Sequence, residues 1–236
     1  MAHLVETMAY AGAVPWHGLG VPVEADLTPK EMMQAADLDW TVSKRPAYTL
    51  TESEWHEGVG VMPVDGHHFI TRDNDSSILS HCGDDYVPIQ NEEIFDFFKK
   101  FTEAGHMTME TAGSLKSGSE IWGLAKISSD FQLPGGDEVK GYLLINQPHL
   151  CGKAMTIKFT PIRVVCNNTL TVALRDGGAA FRMPHIRAFD DDVRQAAEEA
   201  LGLSKARREE FKEQAEFLAS KQFTGESVAN FVAELY

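Results

Sequence analysis

The chain has 236 residues, of which 43% are hydrophobic, enough to bury a substantial core in one large domain or in a domain with a small appendage. No stretch reaches the roughly eighteen apolar residues of a membrane helix, and no basic segment followed by an apolar run opens the chain. Neither a membrane contact nor a signal peptide is expected, and the working compartment is expected to be cytoplasmic. The three cysteines, Cys82, Cys151 and Cys166, are odd in number and lack CxxC spacing, so they are read as free thiols of a reduced compartment.

A formal net charge of −14 disfavours indiscriminate polyanion binding, because phosphates must be neutralised by Lys and Arg. The charge is nevertheless segregated. Between Lys140 and Arg187 stand seven basic residues, Lys140, Lys153, Lys158, Arg163, Arg175, Arg182 and Arg187, against the single acid Asp176. Such a window can form a cationic groove on an acidic body, or can be spent in ion pairs elsewhere in the fold.

In chain order, Tyr10–Pro22 is rich in Gly and Pro and reads as an irregular arm anchored by Trp16. Thr28-Pro29-Lys30-Glu31 combines a capping hydroxyl, a proline at the first helical position and a glutamate three residues on, which starts a short helix. From Trp40 to Val87 the pattern breaks into short β segments, with turns expected at Asp65-Gly66 and Asp73-Asn74. Asn91 then caps a helix in which Ile94, Phe97, Phe98 and Phe101 fall at helical spacing, a face suited to packing on a sheet. Met107–Leu115 and Glu120–Ile127 flank the hairpin signal Lys116–Ser119, and a turn at Leu133–Asp137 leads to a strand over Glu138–Gln147.

A fourth strand, Ala154–Thr160, alternates Met155, Ile157 and Phe159 with Thr156, Lys158 and Thr160. The first set is expected in the core and the second outward. Pro161 ends it, and Arg163–Leu174 reads as a helix with Cys166, Leu170, Ala173 and Leu174 on one face. Helices follow to the end, capped at Asp190–Asp192 and begun again at Ser204, with a last segment Val228–Tyr236. The expected fold is α+β: an antiparallel sheet over about residues 107–160 packed by helices, followed by a helical C-terminal region. The divisions are an arm, short helix and small β unit over 1–90, the core over 91–176, and the helical region over 177–236.

No GxxxxGK[ST] and no GxGxxG after a strand is present, so no phosphate loop and no cofactor are expected. Nine histidines show no recurring ligand spacing, and no metal site is expected. Cys166, with His149 as base, is weighed as a nucleophile and set below the reading of a small core residue, so no catalytic residue is assigned. Nucleic-acid binding has more support. Lys153, Lys158, Arg163, Arg175 and Arg182 supply cations, while Asn167, Asn168 and Thr169 are residue types that bond phosphate and sugar. Trp122, Tyr142, Phe159 and Phe181 are the aromatics offered for stacking.

Pro15–Gly20, Tyr86–Asn91, Thr111–Leu115 and above all Arg163–Leu170 resemble, in order, the signatures of the phage/plasmid-like protein family, a domain family of unknown function found in phages, plasmids and bacteria. The family's His-Asp-Gly before the fourth strand is replaced here by His149-Leu150-Cys151-Gly152. More distantly, the order of helix, antiparallel strands and polar-capped helix is similar to single-strand annealing proteins of the RecT, lambda Beta and eukaryotic mediator type. Those resemblances imply an ATP-independent protein of phage or plasmid recombination in a bacterial host cell. It would bind and anneal single-stranded DNA as a homo-oligomeric ring or filament. The alternatives are a phage structural or interaction protein that oligomerises without binding DNA, and a metal-dependent hydrolase or nuclease.

Overall fold

The computed structural model describes residues 3–52, 59–128, 141–175 and 180–201. In chain order these form β1 (Val5–Ala11), β2 (Val21–Val23), α1 (Pro29–Ala35), β3 (Val42–Glu52), β4 (Val59–Arg72), β5 (Ile78–Cys82) and α2 (Asn91–Glu103). There follow β6 (Met107–Leu115), β7 (Glu120–Ile127), β8 (Tyr142–Pro148), β9 (Ala154–Thr160), α3 (Asn167–Arg175), β10 (Ala180–Pro184) and α4 (Asp191–Ala200). The Leu133–Asp137 turn, the Ser204 helix and the Val228–Tyr236 segment lie outside the described residues. The fold is thus mixed α+β, with more strand than helix.

Seven strands form the main sheet in the order β10-β9-β8-β7-β6-β1-β2, antiparallel except for the β1–β2 pair. The sheet therefore draws β1 and β2 from before residue 90 and the other five strands from after it. The β6–β7 hairpin closes through Lys116, Ser117 and Gly118, all in the left-handed region. A second sheet, β3-β4-β5, is a meander. Its Asp65-Gly66 does not turn the chain, as the sequence pattern suggests: β4 runs on past it. Pairing moves from Pro46–His68 to Tyr48–Pro63, so the extra residues of β4 bulge there, with Gly66 at φ +74°.

The two faces of the main sheet carry separate cores. Met109, Ala112, Ile121, Leu143, Ile145, Met155 and Ile157 pack under α1, α2 and α4, together with the phenylalanines of α2 and Phe189. Met8, Tyr10, Trp122, Leu124 and Leu144 pack on the other side against Val164, Cys166, Leu170 and Ala173. Full burial of a side chain such as Leu170 stabilises by about 1.5–3 kcal/mol, which holds the short α3 in place.

Two glycines permit this close double packing. A Cβ on Gly123 would meet the Phe98 ring at 2.9 Å, and one on Gly113 would meet the Trp122 ring at 2.3 Å and the Thr7 carbonyl at 2.5 Å. Large rings approach both faces this closely only because these positions are bare.

Helix starts follow local chemistry. The Thr28 hydroxyl accepts from the Glu31 amide, and the Glu31 carboxylate accepts from the Thr28 amide. The N-cap of α2 is Gln90 rather than Asn91, with the Gln90 amide donating to Glu93 Oε2 at 2.6 Å. The Gln90 side chain also bonds both the amide and the carbonyl of Val42, fixing α2 to the start of β3. Arg72 joins the two sheets, donating to Glu6 and Asp75 while its guanidinium lies 5.3 Å over the Trp40 ring. No helix among the described residues is long and apolar enough to cross a membrane.

Candidate nucleic-acid interface

The basic window begins at β9. Its Thr156, Lys158 and Thr160 face does alternate with the core face, but it does not point outward. Lys158 is 1% exposed, and Thr156 and Thr160 are buried. The reason is topological: β9 is an interior strand, with Lys158 opposite Leu144 of β8 and Ala180 of β10, and Leu144 belongs to the core beneath α3. Lys158 already interacts within the protein. It is not a surface cation.

Arg163 is spent as well. Its Nε donates to Glu110 Oε1 at 2.5 Å, its Nη1 to the Ala13 carbonyl at 2.9 Å and its Nη2 to the Ala11 carbonyl at 2.7 Å. Each of the three guanidinium nitrogens donates once, holding the N-terminal arm against β6. The helix expected from Arg163 starts four residues later, at Asn167. The intervening Val164 and Val165 are buried in extended chain, and Thr169 caps the start. Its hydroxyl accepts from the Val165 and Cys166 amides at 2.9 and 3.0 Å.

The remaining expected residues are accessible. Asn168, Arg175, Arg182 and Lys153 are exposed and Asn167 is half-buried. Arg182 lies on the edge strand β10 opposite Thr156, and Lys153 immediately precedes Ala154, which pairs with Pro184 two residues further along β10. Alternation therefore puts Arg182 on the α3 side of the sheet, near one end of which Lys153 enters β9. Arg175 ends α3 and Asn168 begins it, about 10 Å apart at helical rise. Among the described residues Lys153, Arg175 and Arg182 form no ion pair. Lys158 is buried, and the half-buried Arg163 and Thr169 are engaged in hydrogen bonds within the protein instead of joining them.

Of the aromatics offered for stacking, Trp122 and Tyr142 are buried, and Phe159 and Phe181 pack partly against the core. Trp122 instead donates to Thr111 Oγ1 at 3.1 Å, and Thr111 donates to the Val164 carbonyl at 2.7 Å, a relay that fixes the entry to α3. Trp16, expected as an anchor, is 68% exposed. Its short Pro-Trp-His-Gly setting is the sequence signal for that: a turn displays its side chain when the backbone, rather than the ring, makes the contacts.

The N-terminal motif and the Arg163–Leu170 motif prove to be one structural unit. His17 Nδ1 accepts from the Leu19 amide, so Nε2 carries the proton and donates to the Val165 carbonyl at 2.9 Å. The Asn167 amide donates to the His3 carbonyl at 3.0 Å.

A second polar cluster lies on the opposite face, where β8, β10 and the start of α2 converge. Asn91 Nδ2 donates to the Leu38 and Trp40 carbonyls, which leaves Oδ1 to accept from His149 Nε2 at 2.9 Å. His149 is therefore the Nε2-protonated neutral tautomer. Burial, with His185 nearby, pushes its pKa down to about 3. Burial also lowers His185, whose ring stacks on Tyr86 at 4.7 Å between centroids. Burial, followed by the nearby Cys151 thiol, raises the Cys82 thiol.

Cys166 is fully buried beside Leu170 on the α3 side. The main sheet separates it from His149, so the two do not form a nucleophile and base. His67 meets His81 at 2.8 Å while His68 faces Asp84 at 3.4 Å, so the adjacent histidines have separate partners. Among the described residues no group of three or more His, Cys, Asp or Glu is placed to hold a metal ion.

No curated protein and no solved structure matches the chain. A family match covers residues 78–236, from β5 onward, and so includes β6–β10, α3, the histidine cluster and every residue of the basic window. The chain belongs to the DUF932 family, a domain of unknown function.

Proposed function

We propose that this protein binds single-stranded DNA without ATP and promotes annealing, in the setting of phage or plasmid recombination in a bacterial cytoplasm. The observation that carries the reading is that Lys153, Arg175 and Arg182 are exposed and have no acidic partner among the described residues, in a chain of net charge −14. Lys99 and Lys126 are likewise exposed without an ion pair among the described residues, so the support for phosphate is that Lys153 leads into β9, the strand paired with the β10 of Arg182, in a stretch of the chain where bases outnumber acids. Asn167 and Asn168 supply amides for backbone or sugar beside them. Lys158, Arg163 and Thr169 act on the interface from within, by fixing β9 and the start of α3. Self-association into a ring or filament would repeat so small a cationic patch along the strand.

The test is fluorescence anisotropy with a labelled oligothymidylate at two salt concentrations. The reading expects binding that weakens steeply with salt. Absence of binding at low salt ends it.

A second reading, an interaction protein, is favoured by the outer half of the β3–β4 ribbon. There Tyr48, Leu50, Val61 and Met62 are all exposed, and β5 pairs only with residues 68–71 of β4. Tyr48, Leu50 and Val61 share one face of the ribbon, with Met62 on the other, and adjoining exposed apolar side chains of this kind mark protein contacts. A stable oligomer indifferent to oligonucleotide, dispersed by Leu50→Lys with Val61→Lys, would favour that reading over DNA binding.

A further inference from the structure

We infer that Trp16 is a stacking platform for an unpaired nucleobase, working with the cations around α3; this rests on the single-stranded DNA reading above. The indole is 68% exposed, whereas Trp40 and Trp122 are buried. A tryptophan buries about 150–250 Å² when it packs, so leaving one in water forfeits a large hydrophobic gain.

The ring is also held in place. The Gly18 amide donates to the Pro15 carbonyl at 2.9 Å, closing the turn that carries Trp16. His17 is fixed at both ring nitrogens, by the Leu19 amide and the Val165 carbonyl, and its ring stands edge-on to the indole at 5.2 Å. Arg163 grips the chain just upstream at the Ala13 carbonyl. The indole therefore loses little further freedom when a flat partner covers it.

The chemistry of the neighbours selects the partner. The His3 ring lies 5.7 Å from the His17 ring, and Val165 and Asn167, which the arm grips, lead into the exposed Asn168 of α3. Of these, His3 Nε2 and the side-chain amides of Asn167 and Asn168, not bonded elsewhere among the described residues, offer hydrogen bonds to the edge of a base, which an apolar side chain could not use. Arg175 at the far end of the same helix, and Arg182 on the same side of the sheet but five strands away from β1, offer charge to phosphates further along the strand. An aromatic face with cations nearby is how single strands are held without sequence preference.

The experiment titrates wild type, Trp16→Phe and Trp16→Ala with labelled oligothymidylate, with the same strand made abasic, and with a duplex. Trp16→Ala should weaken oligothymidylate binding by on the order of ten-fold, the usual loss of one stacked base. Trp16→Phe should retain most of the affinity. The abasic strand and the duplex, which have no free base to stack, should show no difference between variants. The thermal midpoint of Trp16→Ala should equal that of wild type. If Trp16→Ala binds oligothymidylate as tightly as wild type while Lys153→Ala with Arg182→Ala binds weakly, stacking is overturned and the DNA reading stands. An equal loss on the abasic strand also overturns stacking. If wild type binds no single strand, both fall.

Discussion

Arg163 separates a structural from a phosphate-binding account of the segment before α3, and Arg163→Ala should destabilise the protein without weakening the proposed binding of single-stranded DNA. The side chain makes three charge-assisted bonds, to Glu110 and to the Ala11 and Ala13 carbonyls, and is 23% exposed where Glu110 is 15% exposed. Removing one partner of a fully buried ion pair costs about 3–5 kcal/mol, chiefly because the other charge is stranded. Discounting for the partial exposure here leaves about 2–4 kcal/mol. At about 2–4 °C per kcal/mol for a chain of this size, the thermal midpoint should fall by about 5–15 °C. Calorimetry or circular dichroism reads it. Adding Glu110→Gln removes the stranded carboxylate, so the double variant should be more stable than the sum of the singles by about 1–3 kcal/mol. An Arg163→Ala protein that melts with wild type but loses salt-sensitive oligonucleotide binding would refute the clasp.

Three further expectations follow from the same geometry. The folded state holds His149 neutral, with its pKa at about 3, while the unfolded chain binds a proton near the ordinary value of about 6.5. Stability is therefore full above that value and is lost as pH falls toward 3, by up to about 1.4 kcal/mol per pH unit. His149→Gln, which can still donate to Asn91, should flatten the urea-midpoint profile between about pH 5 and 6.5; an unchanged slope contradicts the assignment. Gly113→Ala should cost about 1–3 kcal/mol or more by displacing Trp122 from its bond to Thr111, and a urea midpoint equal to wild type would show that the sheet yields. Native alkylation should label Cys151 quickly while the buried Cys82 and Cys166 react only on unfolding; three equally fast thiols would contradict the packing.

Local signals in the sequence were legible where one physical cause acts alone. The Thr28 box, the phenylalanine face of α2 and the β6–β7 hairpin each depend on residues a few positions apart, and each forms. The strand alternation at β9 was also legible, but not which side water occupies. Burial of Lys158 follows from β8 pairing on one edge, from α3 returning over that side of the sheet and from β10, which comes after α3 in the chain, pairing on the other edge. Arg163 looked like a phosphate ligand because its partners, Ala11, Ala13 and Glu110, are 53 to 152 residues away. Trp16 failed in the opposite sense. Hydropathy sends a tryptophan inward, whereas here backbone and histidine contacts fasten the turn and leave the ring outside. The Asp65-Gly66 pair carries the sequence signal of a reversal and forms a bulge, since Gly at positive φ serves both.

The most direct test of the functional account is the salt dependence of oligothymidylate binding for wild type against Lys153→Ala, Arg175→Ala, Arg182→Ala combined. Each lost phosphate contact lowers the log–log salt slope for a single strand by about 0.7, so the triple variant should lose about 2 from its slope together with most of its affinity. An unchanged slope would contradict the account, and so would an equal loss of slope in Lys158→Met, a change confined to the interior.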